Sequence, residues 1–292
     1  MSFRPEPEFR HGQPRRTAVL LVNLGTPDEP TPRALRRYLA EFLSDPRVVE
    51  IPRAVWWPIL HGIILNTRPA KSAAKYATVW MPEGSPLAVW TARQTDGVAA
   101  QLAAHGHHLT VRHAMRYGNP GIPAVMDRLR EEGVTQVLVL PMYPQYAAAT
   151  TASVGDKLLQ WACGARRMPA LRFVAEYHDD PGYIEALAQR VEHHWQAKGR
   201  AEKLVLSFHG VPHRSLLLGD PYHCQCHKTA RLLVERLGLE REQMVVTFQS
   251  RFGKAKWLEP YTEPTLVALA SQGVRRVATM CPGFVADCLE TL

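Results

Sequence analysis

His209 ends a run of apolar residues. Leu204, Val205 and Leu206 lead through Ser207 and Phe208 to the imidazole, and Gly210 then breaks the run. A short apolar stretch of this kind is the signature of a strand buried on both faces. His209 is therefore expected at the carboxyl end of a strand, where open α/β sheets bind their ligands. A neutral imidazole in that place can take a proton or coordinate a metal near pH 7. Taken alone, the pattern more often marks a histidine that only bonds a neighbouring backbone group. A second stretch bears on the choice. Residues 274–280 read as another strand, ended by Cys281, Pro282 and Gly283, and Asp287 and Glu290 follow. On a helix these two acids, three apart, share a face, although the macrodipole alone favours acids near helix starts. Two carboxylates past one strand and a histidine past another could converge on one cleft.

Other candidates carry less weight. His223, Cys224, Cys226 and His227 invite a metal reading, but the Cys-x-Cys spacing lacks the second, distant pair of a convincing zinc site. Tyr143 and Tyr146, in a proline-containing turn, could floor a pocket or pack in the core. Residues 51–65 include Val55, Trp56, Trp57, Leu60, Ile63 and Leu65, with no formal charge after Arg53. The run is too short to span a bilayer. It reads as a buried core helix, as an apolar lip around a flat hydrophobic ligand, or as a shallow membrane contact. Arg68, Lys71 and Lys75 follow at helical spacing. They could meet ligand carboxylates or form a solvated basic face.

The elements that must position these residues alternate. Residues 17–24 form an apolar strand, and Thr31 with Pro32 starts a helix whose Leu35, Leu39, Phe42 and Leu43 share a face. Further strands are expected at 108–117, 137–141, 171–175 and 244–248. Helices are expected at 90–105, 120–132, 229–237 and 263–272, with another opened by Asp180 and ended by Gly199. Ser153 and Asp156 have the spacing of a capping box. Alternation throughout argues for α/β with parallel sheets. A lone Gly25 after the first strand is no dinucleotide fingerprint, which disfavours a Rossmann dehydrogenase.

A chain of 292 residues can bury a large core and suffices for two domains. Its net charge of +8 favours an anionic partner, but no Lys/Arg-dense block stands out, so nucleic acid is not expected. The five cysteines (Cys163, Cys224, Cys226, Cys281 and Cys288) are irregularly spaced and suit a reducing cytoplasm better than a disulfide framework. Residues 1–16 are expected to be a flexible tail without signal-peptide character. No stop signal follows Glu290, so the last helix is expected to be cut through by the end of the chain.

Together the motifs resemble ferrochelatase, a family that inserts ferrous iron into a porphyrin. The resemblance rests on residues 21–27, 84–87, 143–146 with Thr150 and Thr151, 207–212, 219–222, 248–250, 257–258 and 284–290, in the family's order. It implies two Rossmann-like, chelatase-type domains, each a parallel sheet flanked by helices, with a porphyrin cleft between them. These are residues 17–165, including the lip, and 166–292, apparently truncated at the C-terminal end. It implies His209, Glu290 and Asp287 as catalytic residues, with His209 and Glu290 meeting Fe2+. Leu24, Arg68, Tyr76, Ser85 and Trp257 would line the porphyrin pocket, with Tyr143 from the matched aromatic turn. Cys288 stands where some relatives carry histidine, so a third imidazole is not implied.

Porphyrins are flat and apolar with carboxylates on one edge, which suits an apolar lip and basic side chains. Metal insertion removes two pyrrole protons, so a base must face the macrocycle. Iron must also shed water in steps, which nitrogen and oxygen ligands assist. The expected function is insertion of ferrous iron into protoporphyrin IX to give haem. A related chelatase acting on coproporphyrin or another metal and tetrapyrrole, and a non-catalytic tetrapyrrole carrier, are the alternatives. Fe2+ is a substrate rather than a cofactor. An iron–sulfur cluster, which some relatives hold through cysteines near the C-terminus, has no support here. The expected location is the cytoplasm, with at most a peripheral contact at the inner membrane.

Overall fold

β1 (Thr17–Thr26) buries every residue from Ala18 to Val22, as an unbroken apolar run on a strand requires. The computed structural model, which describes residues 3–8, 11–251, 253 and 255–292, arranges two parallel sheets around two such strands. After β1 come α1 (Pro32–Leu43), α2 (Arg53–Ile59), α3 (Leu65–Val79) and α4 (Pro86–Ala104). Thr31 caps α1 through Ala34 N, as its sequence predicts. β2 (Thr110–Gly118), α5 (Ile122–Glu131), β3 (Gln136–Pro141), α6 (Ser153–Ala162) and β4 (Ala170–Phe173) follow. The first sheet has the order β2-β1-β3-β4.

The second half repeats the plan. α7 (Pro181–Lys198), β5 (Lys203–His209), α8 (His213–Leu217), α9 (Tyr222–Leu237), β6 (Met244–Gln249), α10 (Thr262–Ser271) and β7 (Val277–Met280) build a sheet of order β6-β5-β7. All pairings of named strands are parallel, so helices must carry the chain back between them. The expected α/β class is the one observed. Leu20, Val22, Met126 and Trp161 centre one core, and Leu206, Phe208, Leu233 and Phe248 the other. Each such side chain contributes about 1.5–3 kcal/mol by leaving water.

The expected boundary at residue 165 falls too early. β4 lies beyond it and still pairs with β3, Val137 opposite Leu171 and Val139 opposite Phe173. α7 instead packs on α9. A four-residue edge strand carries too little pattern to assign it to a sheet from sequence. The expected capping box also fails. Ser153 is the first residue of α6, and its hydroxyl donates to the buried carboxylate of Asp45 at 2.6 Å. Tyr117 and Arg116 hold the same carboxylate, so a buried tertiary bond wins over a local cap. Residues 3–8 of the expected flexible tail lie against the fold. Arg4 sits 5.0 Å from the Trp161 ring centre, and Arg167 N donates to Glu6 at 3.1 Å. Residues 1, 2, 9 and 10 of that tail lie outside the described residues.

Residues 53–79 form one helical rod, interrupted by a π-turn at Leu60–Ile64 in which Leu65 N reaches Leu60 O. The buried-core reading holds for one face of this apolar stretch, and the other face is open to solvent. Leu60 and Leu65 are buried, and Trp56 packs beside them with Nε1 donating to Leu43 O at 2.7 Å. Val55, Trp57 and Ile63 are about half exposed, at 56%, 48% and 57%. Among the described residues no helix is long and apolar enough to cross a membrane.

Candidate active site

His209 sits where its apolar run predicts, at the carboxyl end of β5. Alternation along the strand turns Leu206 and Phe208 into the second core and leaves His209 on the other side. Gly210 then holds the exit tight, with its N–H on Gln249 O at 2.7 Å. A Cβ at Gly210 would lie 2.8 Å from Gln249 O and 3.2 Å from the Trp257 ring, so glycine alone fits. Trp257 thereby lies against Gly210, the residue next to His209 in the chain.

His209 Nδ1 donates to Gly210 O at 2.6 Å, and Nε2 faces Glu290 Oε2 at 3.3 Å. The Tyr222 hydroxyl donates to His209 O at 3.0 Å, and the Phe284 ring centre lies 6.3 Å from the imidazole. Burial works against charge on His209, but the Glu290 carboxylate and the Gly210 carbonyl outweigh it and raise its pKa above the ordinary 6.5. Burial alone would raise Glu290, and the facing imidazolium reverses this, so its pKa falls below the ordinary 4.5. The two side chains are 39% and 37% exposed, which leaves both open to solvent.

Asp287 does not join the pair. Residues 281–292 form turns rather than the expected helix, so i,i+3 spacing no longer aligns the two acids. Asp287 is exposed and accepts the Thr291 hydroxyl at 3.2 Å. The backbone bonds in this stretch, Phe284 N to Cys281 O and Thr291 N to Cys288 O, close single turns. The Cys-x-Cys motif lies on α9 with Cys224 exposed and Cys226 buried, so the two thiols face apart. No group of three or more His, Cys, Asp or Glu suited to a metal occurs among the described residues.

The ferrochelatase family model matches residues 16–292. A ferrochelatase from Methylibium petroleiphilum is 68% identical over all of this chain and 80% of its own length. The chain belongs to the ferrochelatase family. A ferrochelatase from a Polaromonas species is 64% identical over all of this chain and 81% of its own. The solved structure of SirB from Bacillus subtilis with Fe3+ overlays at a TM-score of 0.44 and 12% identity, over 92% of this chain and 90% of that one. A likeness that low adds nothing to the assignment.

The other positions implied by the ferrochelatase resemblance occupy varied surroundings. Leu24 and Tyr76 pack in one cluster with Leu35 and Tyr38. Arg68, on α3, is half-buried, and burial lowers its pKa. Ser85 is buried, and its hydroxyl caps α4 by accepting Ala88 N at 3.2 Å. Tyr143 packs against the first core with a buried hydroxyl that meets no hydrogen-bond partner among the described residues. Tyr38 has no place in the sequence reading. Its hydroxyl donates to Gly25 O at 3.1 Å. Burial first, and then several charges including Glu290, raise the pKa of Tyr38, Tyr76 and Tyr222. Glu290 of the second half is therefore within electrostatic reach of α1 and α3 of the first. The available signal was a tyrosine between Leu35 and Phe42 on an apolar helix face, where a buried hydroxyl needs a partner.

Proposed function

We propose that this ferrochelatase-family chain inserts ferrous iron into protoporphyrin IX, with His209 and Glu290 at the reacting centre. The observation that carries the reading is the 3.3 Å contact between His209 Nε2 and Glu290 Oε2 at the end of β5. With Nδ1–H held on Gly210 O, neutral His209 presents its basic lone pair at Nε2. That nitrogen accepts a pyrrole proton, and Glu290 stabilises the imidazolium that results. Solvent reaches both groups, so the proton can leave and the base can act again on the second pyrrole. Asp287 is proposed as an outer carboxylate on this route.

Iron is a substrate here. One imidazole nitrogen and one carboxylate oxygen are donors that suit ferrous iron. Water would fill its other positions until pyrrole nitrogens replace it. Leu24, Tyr76, Tyr143 and Trp257 are the proposed apolar walls of a cleft between two domains, with Arg68 for a propionate and Ser85 at its edge. Exposed Val55, Trp57 and Ile63 form the proposed lip, which also suits peripheral contact with a membrane from the cytoplasm. No step in this scheme requires a resident cofactor.

The test is anaerobic incubation of the protein with ferrous iron and protoporphyrin or coproporphyrin, followed by absorbance. Haem formation from protoporphyrin is expected. Preference for coproporphyrin would correct the substrate, and metalation of neither would overturn the enzyme reading.

A further inference from the structure

Gln249 ends β6 in register with His209 on β5. Its backbone carbonyl accepts Gly210 N at 2.7 Å. Its side-chain oxygen accepts the Ser207 hydroxyl, and Cys281 Sγ lies 3.8 Å from that oxygen. Its side-chain nitrogen donates to the backbone carbonyl of Glu290 at 2.8 Å. One glutamine therefore touches both the strand that carries His209 and the segment that carries Glu290.

That segment needs a hold from outside. Its internal bonds are short-range: Phe284 N to Cys281 O, Thr291 N to Cys288 O, and Cys288 N to Thr291 Oγ1. Among the described residues, side chains from elsewhere reach three of its carbonyls: Tyr183 at Pro282, Gln94 at Val285 and Gln249 at Glu290. Of these, the bond from Gln249 is the one on the turn that bears the carboxylate. Behind it, the Ser207 hydroxyl is 2.9 Å from that of Thr262, which is 2.9 Å from that of Thr247. The Glu290 carbonyl can only accept, so it fixes the amide with its nitrogen towards Glu290 and its oxygen towards Ser207. A side chain here must accept at one atom and donate at another, which glutamine does. Glutamate would keep the acceptor and lose the donor.

We propose that Gln249 is a positioning residue for iron insertion, clamping the backbone of Glu290 to the end of β6 so that its carboxylate stands opposite His209. The inference rests on the His209–Glu290 reading of the site. Displacing a reacting group by about 1 Å lowers turnover by about 100-fold, so a single backbone bond can matter.

Gln249→Leu and Gln249→Glu in the full chain remove the donor in two ways, one of them without losing the bond to Ser207. Hydrogen exchange and steady-state turnover test them together. Amides in residues 281–292 should exchange at least about tenfold faster while β5 and β6 stay protected. The kcat should fall about tenfold or more, with the porphyrin KM within about twofold of the parent. Unchanged exchange across 281–292 in the folded variants, or kcat within twofold of the parent, overturns the clamp. If Gln249→Leu does not fold, Gln249→Glu decides by the same measures. Glu290→Gln is measured alongside. Full turnover there removes the site reading, and the exchange result then stands alone on the clamp. Loss there, with normal turnover in the Gln249 variants, removes the clamp only.

Discussion

His209 and Glu290 each shift the other's titration, and the two shifts act in opposite directions on stability. A histidine with a raised pKa stabilises fully below the ordinary 6.5 and loses this as pH rises through its folded value. A carboxylate with a lowered pKa stabilises fully above the ordinary 4.5 and loses this as pH falls through its folded value. The pair therefore supports the fold most between those two values. Turnover has a different demand, because the base must be neutral to accept a pyrrole proton. In Glu290→Gln the imidazole loses its facing charge, so the rising limb of kcat/KM against pH should move to lower pH. A limb that stays in place would show that the contact does not set the base. His209→Ala should lower kcat about 100-fold or more, since general-base contributions are of order 10²–10⁴, while porphyrin still quenches intrinsic fluorescence on binding. Near-normal turnover would make His209 structural. This residue was legible in the sequence because an unbroken apolar run must be a buried strand and Gly210 must end it. Tyr38 was not, because the apolar face it shares looks the same whether or not its hydroxyl meets a partner.

At the scale of the element, the helical rod at 53–79 divides its aromatic residues. Trp57 and Ile63 face out, so replacing both with Ser should weaken porphyrin binding and leave Tm within about 2 °C, as surface changes of about 0.5 kcal/mol do. Trp56 is the reverse case. It packs on Leu60 and Leu65 and holds Leu43 O. Trp56→Ala should cost about 2–3 kcal/mol by chemical denaturation, below the range for a fully buried tryptophan. Equal effects of the two changes would refute the division. Composition showed that the segment was apolar, but not which face met the core, because a π-turn shifts the helical phase. The missing helix at 281–292 has a similar cause. The spacing of Asp287 and Glu290 fits a helix, and only tertiary bonds such as that from Gln249 show the turn instead.

Across the whole molecule, the two halves are tied together by side-chain hydrogen bonds. Asp220 accepts Ala148 N at 2.8 Å and Tyr222 N at 3.0 Å, Gln225 accepts Tyr146 N at 2.6 Å, and Gln145 donates to Thr229 at 3.0 Å. The bonds of Asp220 to Ala148, Gln225 to Tyr146 and Gln145 to Thr229 join the segment after β3 to α9 and the residue pair before it, and the bond to Tyr222 N is local. Asp220→Ala leaves two N–H groups without their acceptor, at a cost of about 1–3 kcal/mol. Calorimetry should show Tm lower by a few degrees in a single transition, because the tie runs between the halves. Two separate transitions would mean that the halves fold independently. The α/β plan was legible from alternation, since period and punctuation are local properties. The passage from one sheet to the other was not, because β4 is short and its partner β3 is identified only by pairing.

The π-turn at Leu60–Ile64 places one more residue in a turn than an α-helix does. Removing one residue there lets the rod close as plain α-helix, and Arg68 and Tyr76 keep their bearing relative to Val55 and Trp57. A single-codon deletion at Gly62, whose Cα faces open space, should therefore fold with nearly normal Tm. The same deletion at Ala70, inside α3, swings everything after it by about 100° around the axis and turns Tyr76 away from Leu24. The reading frame of this helix thus has one spare position, and lineages that differ by one residue in length would be expected to differ there.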